Sequence, residues 1–181
     1  MFSPQQKKAL LGLARSVITS HFEQQRISRP ADAEFEAKRG VFVSLHIGAE
    51  LRGCIGYIKG YKSIVASIVE MADAAAFKDP RFAPLEKREL DSICIELSIL
   101  GELELLQPAE EPVIGRDGLY IIHPYGSGLL LPQVAVECGW DAHTFLREVC
   151  RKAGLNSSAY KDANSRVYRF TAEIFSEKDT F

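Results

Sequence analysis

An α+β fold with a largely antiparallel sheet follows from three features of this sequence. Apolar residues alternate with polar ones in several short stretches, the signature of half-buried strands. Two pairs of these stretches are joined by tight, glycine-containing turns, which can join antiparallel neighbours but not parallel ones. Between them lie segments whose apolar residues recur every three or four positions, the period of a helix with one buried face.

The elements can be justified in order. Ser3-Pro4-Gln5-Gln6 opens the first helix, with Ser3 as cap, Pro4 in the first turn and Gln6 completing a capping box. Leu10, Ala14, Val17, Ile18 and Phe22 form its inward stripe, which predicts a helix running to about Gln25. Arg26 to Gly40 reads as a polar connection. Val41, Val43, Leu45 and Ile47 then alternate with Phe42, Ser44 and His46, and Gly48-Ala49-Glu50 is expected to be a three-residue loop before Leu51 to Tyr57. That loop sets Ile47 opposite Leu51 and Arg52 opposite His46, with Ser44, His46, Arg52, Cys54 and Gly56 on one face of the hairpin. Ser63 caps a second helix with Ile64, Ile68, Met71, Ala72 and Ala75 inward, ended by Asp79-Pro80. Ile93, Ile95, Leu97 and Ile99 mark a third strand. A second hairpin, Leu119 to Ile122 and Leu129 to Leu131, flanks Pro124-Tyr125-Gly126-Ser127-Gly128. Asp141 caps a helix with Phe145, Leu146, Val149 and Cys150 inward, and Gly154 stops it. Tyr168, Phe170, Ala172 and Ile174 alternate in what reads as one final strand. One domain over residues 1–181, or two packed subdomains, suits this length, and a hairpin-and-helix module in each half is compatible with an old duplication.

Composition excludes several function classes. A formal net charge of -2 supplies no global field toward nucleic acid or anionic lipid. No apolar run approaches the roughly 18 residues of a membrane span, so a cytoplasmic protein is expected. Cys54, Cys94, Cys138 and Cys150 are scattered without a C-x-x-C pair, which indicates free thiols and neither a disulfide framework nor a zinc knuckle. No H-E-x-x-H and no cofactor motif is present. Gly56 to Ser63 looks superficially like a phosphate loop, but Tyr61 separates Gly60 from Lys62 and puts the lysine out of register. What survives of that idea is an anion held by Lys62 at the start of the Ser63 helix.

Chemistry is plausible at Leu51-Arg52-Gly53-Cys54-Ile55-Gly56, where two glycines flank a thiol on a strand. Glycine inside a strand costs stability and marks a bulge or a place where another backbone or a ligand comes close. In the expected register Arg52 faces His46, and His46 lies diagonally from Cys54, so a guanidinium and an imidazole would favour the nucleophilic thiolate. The plainer account is that the glycines let a helix approach and that Cys54 is a small buried hydrophobe, as free cysteines usually are. Asp79, Arg81, Gln133 and Glu137 are polar residues in apolar or proline-bounded stretches, where a turn or cap role competes with a functional one. His123 and His143 are isolated.

Several collinear motifs together resemble the AMMECR1-domain proteins. They are L-R-G-C-I-G at Leu51 to Gly56, Asp79-Pro80-Arg81-Phe82, Ile114-Gly115-Arg116-Asp117-Gly118-Leu119, Leu129-Leu130-Leu131-Pro132-Gln133-Val134-Ala135, Gly139-Trp140-Asp141 and Cys150-Arg151-Lys152-Ala153-Gly154-Leu155. The resemblance implies an α+β fold of a larger and a smaller subdomain, with the L-R-G-C-I-G stretch in or near a cleft between them, in a free-standing prokaryotic-type member. It implies functional residues at Arg52, Gly53, Cys54 and Gly56, with Gln133 from the later motif. Tyr57 departs from the small polar residue that the family pattern leads one to expect after the glycine. The resemblance also implies a part in basic processes such as transcription, replication, repair or translation, and a pathway shared with Memo-like and radical SAM proteins.

Two hypotheses follow. In the first the protein is a thiol-dependent enzyme, with Cys54 as nucleophile, Arg52 as substrate anchor or thiolate stabiliser and His46 as base, acting on a small or peptide-like substrate. In the second it is a non-catalytic module that binds a protein or nucleic-acid component, in part through the basic surface around Arg147, Arg151 and Lys152.

Overall fold

The computed structural model describes residues 1–24, 26–107 and 110–180. In chain order the main elements are α1 (Pro4–Ser20), β1 (Val41–Ile47), β2 (Glu50–Tyr57), α2 (Ile64–Phe77), β3 (Ile93–Leu100), β4 (Glu104–Leu105), β5 (Gly118–His123), β6 (Gly126–Leu130), α3 (Pro132–Glu137), α4 (Ala142–Lys152), β7 (Arg166–Phe170) and β8 (Ala172–Ser176). They form two compact units, Met1–Leu100 with the chain's last residues from Glu173, and Gly101–Ala172. The α+β class holds, with two four-stranded sheets in place of one.

The first sheet has the order β2-β1-β3-β8, with β1 antiparallel to both of its neighbours. Val41, Val43 and Leu45 share a face with Ile95, Leu97 and Ile99, and all are buried under α1 and α2. The inward stripes of both helices are those the periodicity predicts. The helix caps are also as expected: Ser3 and Gln6 close a capping box, and the Ser63 hydroxyl accepts from the Ala66 N–H.

Helix α1 ends at Ser20, short of the predicted end near Gln25, a residue that lies outside those described. The chain turns there because the next two side chains dock on α2. The His21 ring stacks on Phe77 at 4.0 Å between centroids, and Phe22 meets Phe77 edge-on at 5.7 Å. Lys62, proposed from sequence as an anion holder, pairs with Glu70 at 2.6 Å instead.

The second sheet has the order β4-β7-β5-β6 and packs α4 against its hairpin, over a core of Leu119, Ile121, Phe145, Leu146 and Val149. Asp141 caps α4 through the Thr144 N–H, and Gly154, at φ +73°, ends it. Both hairpins turn through two residues, Gly48-Ala49 and Pro124-Tyr125. The two sheets share one plan: a hairpin, a third strand beside the hairpin's first, and a fourth strand outside it. Each third strand, β3 or β7, is followed in the chain by the fourth strand of the other sheet, β4 or β8. The segment that reads as one final strand is therefore two strands, β7 and β8, in different sheets. The break at Thr171, whose carbonyl accepts the Gly101 N–H at 2.7 Å, falls within an unbroken alternation, so the pattern alone does not reveal it.

Candidate functional site

The L-R-G-C-I-G motif occupies most of β2, the edge strand of the first sheet. Its register differs from the expected one at one end. Gly48, at φ +63°, permits a two-residue turn, so Ile47 pairs with Glu50 and His46 with Leu51. The strand absorbs the surplus residue as a bulge at Arg52, and from Leu45↔Gly53 onward the pairing is the one expected. The bulge takes Arg52 out of the pair with His46 and turns it to Glu89. Their fork-to-fork ion pair has Nε–Oε1 at 2.7 Å and Nη2–Oε2 at 3.0 Å, and holds the Glu89 carboxyl below its ordinary range. The guanidinium is engaged by Glu89 and makes no hydrogen bond to the thiol.

The flanking glycines serve the close packing of this chain. A Cβ on Gly53 would lie 2.2 Å from the carbonyl oxygen of Ala75 in α2, and one on Gly56 would lie 2.4 Å from the Phe42 ring. The second unit repeats the first device, with the place of a Gly126 Cβ 2.3 Å from the Ala153 carbonyl oxygen after α4.

Cys54 itself is half-buried, opposite Ser44 on β1, whose hydroxyl donates to its sulfur at 3.2 Å. Its backbone is held from the outer side by two side chains that follow α2. The Asp79 carboxylate accepts the Cys54 N–H at 2.9 Å, and Arg81 Nη2 donates to the Cys54 carbonyl at 3.0 Å. Asp79 and Arg81 are themselves paired twice, Nε–Oδ1 at 2.9 Å and Nη2–Oδ2 at 2.7 Å. An edge strand leaves alternate backbone groups without a ladder partner. Here an ion pair supplies both at one residue.

Asp79 is 4% exposed, yet its carboxyl is held far below the usual carboxylate range. The Arg81 guanidinium is the largest cause, and the N–H groups of Cys54 and Arg81 add to it against the upward push of burial. A depressed carboxyl stabilises the fold above the unfolded value of about 3.9, and that contribution is lost as pH falls below it. The stability gap between the wild type and Asp79→Asn is therefore expected to narrow on acidification from roughly pH 5 to pH 3. Urea unfolding of both proteins across that window measures it, and a gap that stays constant would refute the assignment.

His46 lies on the same sheet face as Ser44 and Cys54, opposite Cys94 on β3. Its Nε2 is buried without a hydrogen-bond partner among the described residues, and it makes no bond to the Cys54 sulfur. Gln133 stands in the other unit, in the first turn of α3, with its Oε1 also buried and unpartnered. Cys150 is core, and Cys138 is exposed at the end of α3. His143 and His123 have partners of their own, the Tyr160 hydroxyl at 3.3 Å and Asp162 at 3.6 Å. Among the described residues no group of three or more His, Cys, Asp or Glu side chains converges on a metal position, and no helix is long and apolar enough to cross a membrane.

The family model described as AMMECR1 matches residues 11–175 of this sequence. The chain belongs to the AMMECR1 family. A protein of Methanothermobacter thermautotrophicus is 44% identical over 179 residues, 94% of this chain and 93% of its own. One from Thermococcus onnurineus is 43% identical over 182 residues, 93% of this chain and 89% of its own. The crystal structure of an uncharacterized protein from Pyrococcus horikoshii superimposes with a TM-score of 0.83 at 38% identity, covering 93% of this chain and 90% of that one. Within this AMMECR1 chain, two motifs separated by a whole helix, L-R-G-C-I-G and D-P-R-F, meet at the backbone of Cys54. The sequence flags Asp79 and Arg81 as polar residues behind a helix and as part of a family motif, without showing what they hold. Their partner lies 25 residues away from Asp79, and only the packing of α2 on β2 brings them to it.

Proposed function

We propose that this protein acts through the Cys54 thiol, as a nucleophile toward a small or peptide-like substrate in the cytoplasm, where thiols stay reduced. The reading rests on one observation: a buried, ionised Asp79 and its arginine fix both backbone groups of Cys54, while Ser44 aims a hydroxyl at its sulfur. The backbone bonds would serve any residue at this edge, and the Ser44 hydroxyl is the contact that addresses the sulfur itself. Asp79 acts as a positioning residue, and Arg52 and His46, which make no bond to the sulfur, have no part in the step.

Alkylation of the folded protein by iodoacetamide, resolved by peptide mass spectrometry, tests this. Cys138 is exposed and serves as an internal reference. Cys54 is expected to react several-fold faster than Cys138 although it is less accessible, and Ser44→Ala is expected to slow it. If Cys54 reacts only when the protein unfolds, the thiol is structural, and the non-catalytic binding module becomes the reading to pursue.

A further inference from the structure

We propose that Arg81, and not Arg52, is the cation of the Cys54 site, and that it selects substrates carrying a carboxylate near the electrophilic atom. This deepens the reading of Cys54 as a nucleophile and rests on it.

The two arginines differ in what they have left to offer. Arg52 forms a complete fork with Glu89, and its side chain is only 16% exposed. Arg81 directs Nε and Nη2 inward to Asp79 and the Cys54 carbonyl, and Nη1 has no hydrogen-bond partner among the described residues. Its side chain is 52% exposed, with the Phe82 ring 5.4 Å from the guanidinium carbon. The partner that neutralises it is out of reach of a ligand. Asp79 is buried, and both its oxygens are already occupied by the Cys54 N–H, the Arg81 N–H and the guanidinium.

What a ligand meets is therefore a positive edge on a fixed arginine, with little rotamer entropy left to lose on binding. That edge belongs to the guanidinium that donates to the Cys54 carbonyl at 3.0 Å, so the charge lies beside the residue that carries the thiol. A carboxylate on Nη1 would place the rest of a small substrate beside the sulfur.

The test compares two alkylating agents that differ in charge at the same reacting carbon, iodoacetate and iodoacetamide. The iodoacetate-to-iodoacetamide rate ratio at Cys54 is divided by that at Cys138 in the same molecule. We expect a quotient of about tenfold, the scale of one charge-assisted hydrogen bond discounted for exposure. It is expected to fall toward unity in Arg81→Gln and at high salt, and to survive in part in Arg81→Lys. The wild-type quotient needs no variant, so a folding defect in Arg81→Gln does not confound it. A quotient of one with Cys54 still fast toward iodoacetamide overturns the role of Arg81 and leaves the nucleophile standing. A Cys54 inert to both reagents overturns both.

Discussion

Gly53→Ala is expected to destabilise the protein by about 3 kcal/mol, the upper end of what overpacking costs. The added methyl would sit 2.2 Å from the Ala75 carbonyl oxygen and 3.2 Å from its carbon, well inside contact distance. Neither side can yield cheaply. Ala75 is in the last turn of α2, buried against the sheet, and β2 is tied to β1 on one side and to Asp79 and Arg81 on the other. Gly12, exposed within α1 with nothing within 4 Å of its missing Cβ, is the control. Gly12→Ala is expected to stabilise by roughly 0.5–1 kcal/mol through helix propensity alone. Urea unfolding of the two variants compares one chemical change in two settings. A Gly53→Ala protein as stable as the wild type would show that α2 and β2 can separate at this point.

Asp79→Ala is expected to cost about 2 kcal/mol, chiefly by leaving the Cys54 N–H without an acceptor. Arg81→Ala should cost about 1 kcal/mol: it takes the counter-ion from the buried Asp79 carboxylate, but the guanidinium is half in water and solvent entering its place offsets much of that loss. The order matters more than the values. Removing the buried acceptor leaves the Cys54 N–H unpaired, whereas removing the half-exposed guanidinium leaves a carboxylate that keeps two backbone N–H donors and that water can enter to solvate. Equilibrium unfolding gives the two costs, and amide exchange at Cys54 locates them, with faster exchange expected in Asp79→Ala. Arg81→Ala proving the more damaging would mean that the guanidinium organises the edge, and that Asp79 only neutralises it.

Much of the fold was legible in advance for local reasons. The capping box at Ser3, the Ser63 and Asp141 caps, the stripes of α1, α2 and α4 and the alternation of β1, β2 and β3 depend on residues within a turn or two of one another. The close approach of another backbone at Gly53 was legible too, because a glycine within a strand marks such a place.

The errors share one cause, which is that register and pairing are not local. A turn shortened by one residue, compensated by a bulge at Arg52, moved that side chain from His46 to Glu89. An alternation continuous in sequence was divided at Thr171 between two sheets, because side-chain period records burial and not the neighbour that provides it. The sequence by itself determined the main helices and hairpins, their buried faces and the family, but not β4, α3 or the division of β7 from β8. The tertiary structure alone decided which charges surround the thiol. Hydrogen bonds between residues 25 or more positions apart form only after helices and strands have packed, and at Cys54 that packing assigned the carboxylate and guanidinium to Asp79 and Arg81.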